Sequence, residues 1–162
     1  IETIKKIAEI IVSYNKKLIV KLHPSPDEYD PSKILRKINP EIEIIKTGNI
    51  AELIKKCILF IVIDVSSAII DAHLLRKPVL SVPVWPFYQV AKFGIPTLLK
   101  NDSCAVTDIL SFEKIFYQMI DDDEFRNKII KNANKSIQKY VSFPYDGATT
   151  LLTFLEKFEN KL

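Results

Sequence analysis

Four short apolar runs, over 17–23, 42–47, 58–63 and 78–82, alternate with helix-patterned stretches, and this rhythm restricts the fold more than any other feature. The runs are rich in Ile, Val and Leu and nearly continuous in hydrophobicity, as expected of strands covered on both faces. Between them the period changes. Ile4, Ile7, Ile10, Ile11 and Tyr14 recur at helical spacing with Lys and Glu interleaved, which predicts an amphipathic helix over 2–15. Further helices are expected over 32–38, 50–56 and 67–76. Strand alternating with helix predicts an α/β fold with a doubly wound, Rossmann-like parallel sheet. Right-handed crossovers then bring the carboxyl ends of the strands to one rim. His23, Gly48, Asp64 to Ser67, and Val84-Trp85 are expected along it.

Local chemistry punctuates this pattern. Pro24, Pro26 and Pro31 make 24–31 a loop, with Pro31 suited to the first turn of the next helix. Asn39-Pro40 turns the chain into the second strand, and Gly48 ends that strand. Asn49 with Glu52 three residues on resembles a capping box. Residues 83–104, with Pro83, Pro86, Gly94 and Pro96, read as irregular. A short strand near Ala105 follows, then helices over about 111–120, 122–140 and 147–160. With no internal repeat or linker, the 162 residues read as one domain.

The composition removes several function classes. A net charge of +3, from 23 basic and 20 acidic residues, is too mild to argue for nucleic acid or a membrane surface. The two cysteines, Cys57 and Cys104, lack metal-ligand spacing and read as structural thiols of a reducing compartment. No apolar run approaches the roughly 20 residues of a bilayer span, and lysines interrupt any signal-peptide core, so a cytoplasmic location is expected. Only three glycines are present, which excludes a P-loop and a dinucleotide fingerprint. His23 and His73 have no zinc-type spacing, and Asp121-Asp122-Asp123 reads as a solvated helix start. No metal site is expected.

What remains are polar residues at the predicted strand ends. Ser66-Ser67 follows the third strand and opens a helix. The pair reads as an N-cap, or as a cap that also receives an anion. Asp71 lies one helical turn onward, where a carboxylate can accept from ribose hydroxyls or simply face the helix dipole. Asp64 ends a buried strand and is expected to hold the following loop. His23 is either a structural imidazole or a group that stabilises charge on a departing phosphate.

Three segments together, Lys21-Leu22-His23-Pro24, Ile63-Asp64-Val65-Ser66-Ser67-Ala68-Ile69-Ile70-Asp71-Ala72 and Leu75-Arg76-Lys77-Pro78-Val79-Leu80, resemble the carboxyl-terminal half of GT-B fold transferases. The likeness is to bacterial sialyltransferases, with their "HP" and "SS" motifs, and to CDP-glycerol glycerophosphotransferases. It runs from about residue 15 to the C-terminus. The resemblance implies a GT-B half-domain that binds a nucleotide-activated donor, with a CMP, CDP or UDP moiety, as substrate rather than cofactor. It assigns His23, Ser66 and Ser67 to the donor phosphate and Asp71 to the ribose. It also implies a role in surface-polymer synthesis and a preceding GT-B domain that carries the acceptor site. The chain opens at Ile1, and helix 2–15 is similar to the element after the interdomain linker. The full protein is then a two-domain enzyme, open to peripheral membrane association, and the isolated chain is expected to be inactive.

Three other readings stay open. UDP-N-acetylglucosamine 2-epimerases share the acidic helix residue, but carry a glycine pair where this chain has Ser67-Ala68. A receiver domain would use Asp64, yet needs an acidic pair where this chain has His23-Pro24. A non-catalytic GT-B half would use Trp85, Phe87, Tyr88 and Phe93 as a contact surface.

Overall fold

The computed structural model describes residues 1–23, 25, 29–64, 66–84 and 103–138. The expected aromatic surface at Trp85, Phe87, Tyr88 and Phe93, the helix over 147–160, and Pro24 and Val65 of the two motifs lie outside them. The elements follow in the predicted order: α1 (Glu2–Ser13), β1 (Ile19–Lys21), α2 (Ser32–Ile38), β2 (Glu43–Ile45), α3 (Ile50–Lys56), β3 (Phe60–Ile63) and α4 (Ala68–Leu74). Then come β4 (Val79–Val82), β5 (Ala105–Val106), α5 (Phe112–Asp121) and α6 (Asp123–Ile137).

Among the described residues all strand pairs are parallel. β1 pairs with β2, Val20 opposite Ile44. β4 lies between β3 and β5, with Ile61 opposite Leu80 and Ser81 opposite Val106. The fold is the expected α/β, Rossmann-like arrangement, and within each ladder the strand carboxyl ends share one edge.

The three-stranded ladder is apolar on both faces. Leu80, Val82 and Ala105 face a core with Ile7 and Ile11 of α1, Phe112, Phe116 and Met119 of α5, and Ile129 of α6. Phe112 stacks on Phe116 at 5.7 Å, and Tyr14 meets the Phe116 ring edge-on at 5.6 Å. Val62, Val79 and Cys104 face the opposite way, against Ile54 of α3 and Ile69 and Ala72 of α4. Successive strand residues therefore enter different cores, which is why the runs are continuous rather than alternating.

The β1–β2 ladder differs from expectation. Ala8, Leu35 and Ile42, with Leu18, Val20 and Ile44 against them, form a third core under α1 and α2. The alternate residues Ile19 and Glu43 stay exposed, Ile19 at 37%. The run over 17–23 is thus covered on one face, and only three of its residues form strand.

Helix ends show what few glycines require. Asn15, with φ 52°, ends α1 as its N–H donates to Val12 O and that of Lys16 to Ile11 O. Arg76, φ 54°, ends α4 in the same way, with Arg76 N–H to His73 O and Lys77 N–H to Ala72 O. Both are Schellman motifs, which usually place glycine in this left-handed position. Asn49 caps α3 by accepting from the Ala51 N–H at 2.9 Å. The reciprocal half of the capping box is not made, because Glu52 pairs with Lys55 at 2.7 Å instead. Asp122 likewise caps α6 through the Phe125 N–H. Arg126 donates to Met119 O and Ile120 O at 2.9 and 2.8 Å, closing the end of α5.

Arg76→Gly is expected to stabilise the chain by about 0.5–1 kcal/mol, because glycine carries no Cβ penalty at positive φ. Asn15→Gly should gain less, since Asn already tolerates that conformation. Urea unfolding followed by circular dichroism measures both, and a loss of stability in Arg76→Gly would contradict this account.

Candidate functional site

The polar residues expected at the rim occupy the carboxyl ends of the strands that were to carry them. His23 lies two residues past β1 and is exposed. Its Nδ1 accepts from the Ser25 N–H at 3.2 Å, so that nitrogen is held as an acceptor within its own loop. Ser66 and Ser67 lie between β3 and α4.

The two serines do different things. Ser66 Oγ accepts from the Ala68 N–H at 3.2 Å, and Ser66 O accepts from the Ile69 N–H at 3.1 Å. Ser67 O accepts from the Ile70 N–H at 2.9 Å. The first N–H groups of α4 are therefore already occupied by the serines themselves. Ser66 is thus a cap, as the N-cap reading of the pair expects. The αR backbone of Ser67, φ −59° and ψ −21°, tightens the entry into 3₁₀-type bonds. Ser67 makes no side-chain cap and is exposed. Its hydroxyl is left as the outward-facing donor of the pair.

α4 is two-sided. Ala68, Ile69, Ala72 and His73 are buried, whereas Ser67 and Asp71 keep solvent access. Four residues apart, Ser67 and Asp71 are neighbours on the helix surface. They present a donor and an acceptor one turn apart.

Asp64 fixes where this begins. Its φ is 61°, in the left-handed region. The Asp64 N–H donates to Val82 O at 3.0 Å, and the Val84 N–H donates to Asp64 Oδ1 at 2.6 Å. The carboxylate thus holds the exit of β4.

Sequence reasoning missed Lys21. Its Nζ donates to Leu22 O at 2.8 Å and to Lys46 O at 2.9 Å, across the carboxyl edge of β1 and β2. The available signal was a single cation within an otherwise apolar strand. Cys57 is half-buried and donates to Ile54 O, with burial raising its pKa. Among the described residues no cluster of His, Cys, Asp and Glu could hold a metal ion, and no helix is long and apolar enough to cross a membrane.

No family model and no curated protein matches the sequence. Among solved structures, the chain is similar to the spinosyn forosaminyltransferase SpnP, with a TM-score of 0.62 at 16% identity. The match covers 96% of this chain and 37% of that one, so the chain spans well under half of the transferase. The shared feature is the fold. The parallel strands and flanking helices here agree with a Rossmann-like GT-B half-domain.

The inward side of α4 generates a prediction. His73 is 1% exposed, with Nε2 at 3.5 Å from Cys104 Sγ and Nδ1 lacking a hydrogen-bond partner among the described residues. Burial lowers its pKa below the ordinary 6.5 and raises that of Cys104 to about 12. The unfolded chain therefore binds this proton more tightly than the native one. The stability is complete above pH 6.5 and declines as pH falls from there through the depressed native value. Urea midpoints between pH 8 and pH 5 should show that decline, and His73→Leu should flatten it. An equal slope in the variant would remove His73 as its source.

Proposed function

We propose that this chain is the donor-nucleotide-binding half of a GT-B transferase that builds a surface polysaccharide or polyol-phosphate polymer from a CMP-, CDP- or UDP-activated donor. The observation that carries the reading is the outward face of α4. An exposed Ser67 hydroxyl and Asp71, one turn apart, stand beyond the carboxyl end of a parallel strand in a chain with the GT-B fold. In open α/β sheets that edge is where ligands bind.

In this reading Ser67 donates to the donor phosphate, and Asp71 accepts from the ribose. Ser66 shapes the turn that presents Ser67. The acceptor hydroxyl attacks, the bond to the nucleotide phosphate breaks, and negative charge grows on the departing phosphate oxygens. His23 donates to that charge as the catalytic residue of this half. Fixed donors aimed at developing charge stabilise it without reorganising, so the step calls for no metal. The acceptor site and the base belong to a preceding GT-B domain, so the isolated chain binds nucleotide without turnover.

Calorimetric titration with CMP, CDP, UMP and UDP tests this. Binding of at least one below millimolar concentration is expected. Ser67→Ala should weaken it about tenfold and leave stability unchanged, as loss of one charge-assisted hydrogen bond predicts. Ser66→Ala should instead cost about 0.5–2 kcal/mol of stability, as loss of a cap does. No nucleotide binding up to millimolar concentrations would end the donor-binding reading.

A further inference from the structure

We propose that Lys21 is an anion-binding residue of the rim, supplying the fixed positive charge that receives a phosphate or diphosphate beside His23. The assignment deepens the donor-binding reading and rests on it for the identity of the anion.

The ammonium is placed, not swinging. It donates to Leu22 O at 2.8 Å and to Lys46 O at 2.9 Å. Leu22 O belongs to the peptide bond that enters His23, so cation and imidazole share one short stretch of the edge. The effect on polarity matters as much as the position. Parallel strands expose acceptor carbonyls at their carboxyl ends, and an anion approaching them is repelled. Lys21 covers two of those carbonyls and replaces an acceptor edge with a cationic one.

Two further observations bear on this lysine. Lys5, Lys17 and Lys55 pair with Glu9, Glu43 and Glu52. Among the described residues, Lys21 pairs with no carboxylate, and of its three N–H donors only two have acceptors. The start of α4 also has its first N–H groups occupied by Ser66 and Ser67. Those N–H groups of Ala68, Ile69 and Ile70 are not offered to an anion, and where a side chain serves instead an ammonium is a stronger donor than a hydroxyl.

The test uses inorganic pyrophosphate and CDP, each titrated into the wild-type chain, Lys21→Met, Lys21→Gln and Lys21→Arg at low and high salt. Wild type is expected to bind pyrophosphate, and the two neutral variants to bind it at least tenfold more weakly with a shallower salt dependence. Lys21→Arg should recover most of the affinity. Equal pyrophosphate affinity in a folded neutral variant would overturn the proposal and leave Lys21 as a clip between strands. If neither neutral variant folds, the side-chain ammonium resonance of Lys21 in the wild type decides. Movement on adding pyrophosphate supports the assignment, and an unmoved signal overturns it. Pyrophosphate binding without CDP, CMP, UDP or UMP binding would reject the donor-binding reading while leaving Lys21 assigned. Binding of neither rejects both.

Discussion

The hydrogen bonds around Asp64 are the constraint on which the rest of this architecture turns. A non-glycine residue at φ 61° costs about 1 kcal/mol, less for Asp than for most residues. The return is that one residue terminates two strands. Its N–H reaches Val82 O, its carboxylate takes the Val84 N–H, and its carbonyl receives a long bond from the buried Ser81 hydroxyl at 3.4 Å. The carboxyl ends of β3 and β4 are thereby held in register.

Helix α1 has the corresponding role for the two ladders. Ile7 and Ile11 enter the core of the three-stranded ladder, whereas Ala8, with Ile4 and Val12, packs against the core over β1 and β2. Leu18 touches both cores. Among the described residues no strand pairing joins the ladders, and this helix and that side chain contact both cores. Burial of such side chains contributes about 1.5–3 kcal/mol each, enough to make α1 a structural part of the domain rather than an appendage.

Element order and type were legible because the hydrophobic period is unambiguous. Runs such as Phe60–Ile63 place alternate residues into two apolar cores, and helix faces such as Ile7 and Ile11 repeat at helical spacing. Strand lengths were less legible. The run over 17–23 looked like a strand covered on both sides, but composition does not reveal that helices cover one face of β1 only. At the site, the position of His23 and the serine pair followed from where strands end. The division of labour between Ser66 and Ser67 did not, because it depends on the αR backbone of Ser67. Nor did the role of Lys21, which depends on a contact to Lys46 across a strand pair. Local chemistry can be read along a chain, while partners brought together by topology cannot.

The scarcity of glycine links these features. A chain that cradles phosphate with backbone N–H groups needs glycines, because the backbone must approach the anion closely and adopt positive φ. Among the described residues the left-handed positions outside Gly48 are held by Asn15, Asp64 and Arg76, and they are used to end elements. The N–H groups at the start of α4 are turned inward onto serine oxygens. In the proposed reading, anion binding then draws on side chains. Hydroxyl, imidazole and ammonium are the donors that Ser67, His23 and Lys21 supply. Side-chain donors lose more freedom when they are ordered than backbone groups do, which makes prior anchoring valuable. The Lys21 ammonium, already fastened to two carbonyls, is the donor for which that cost is met before an anion arrives.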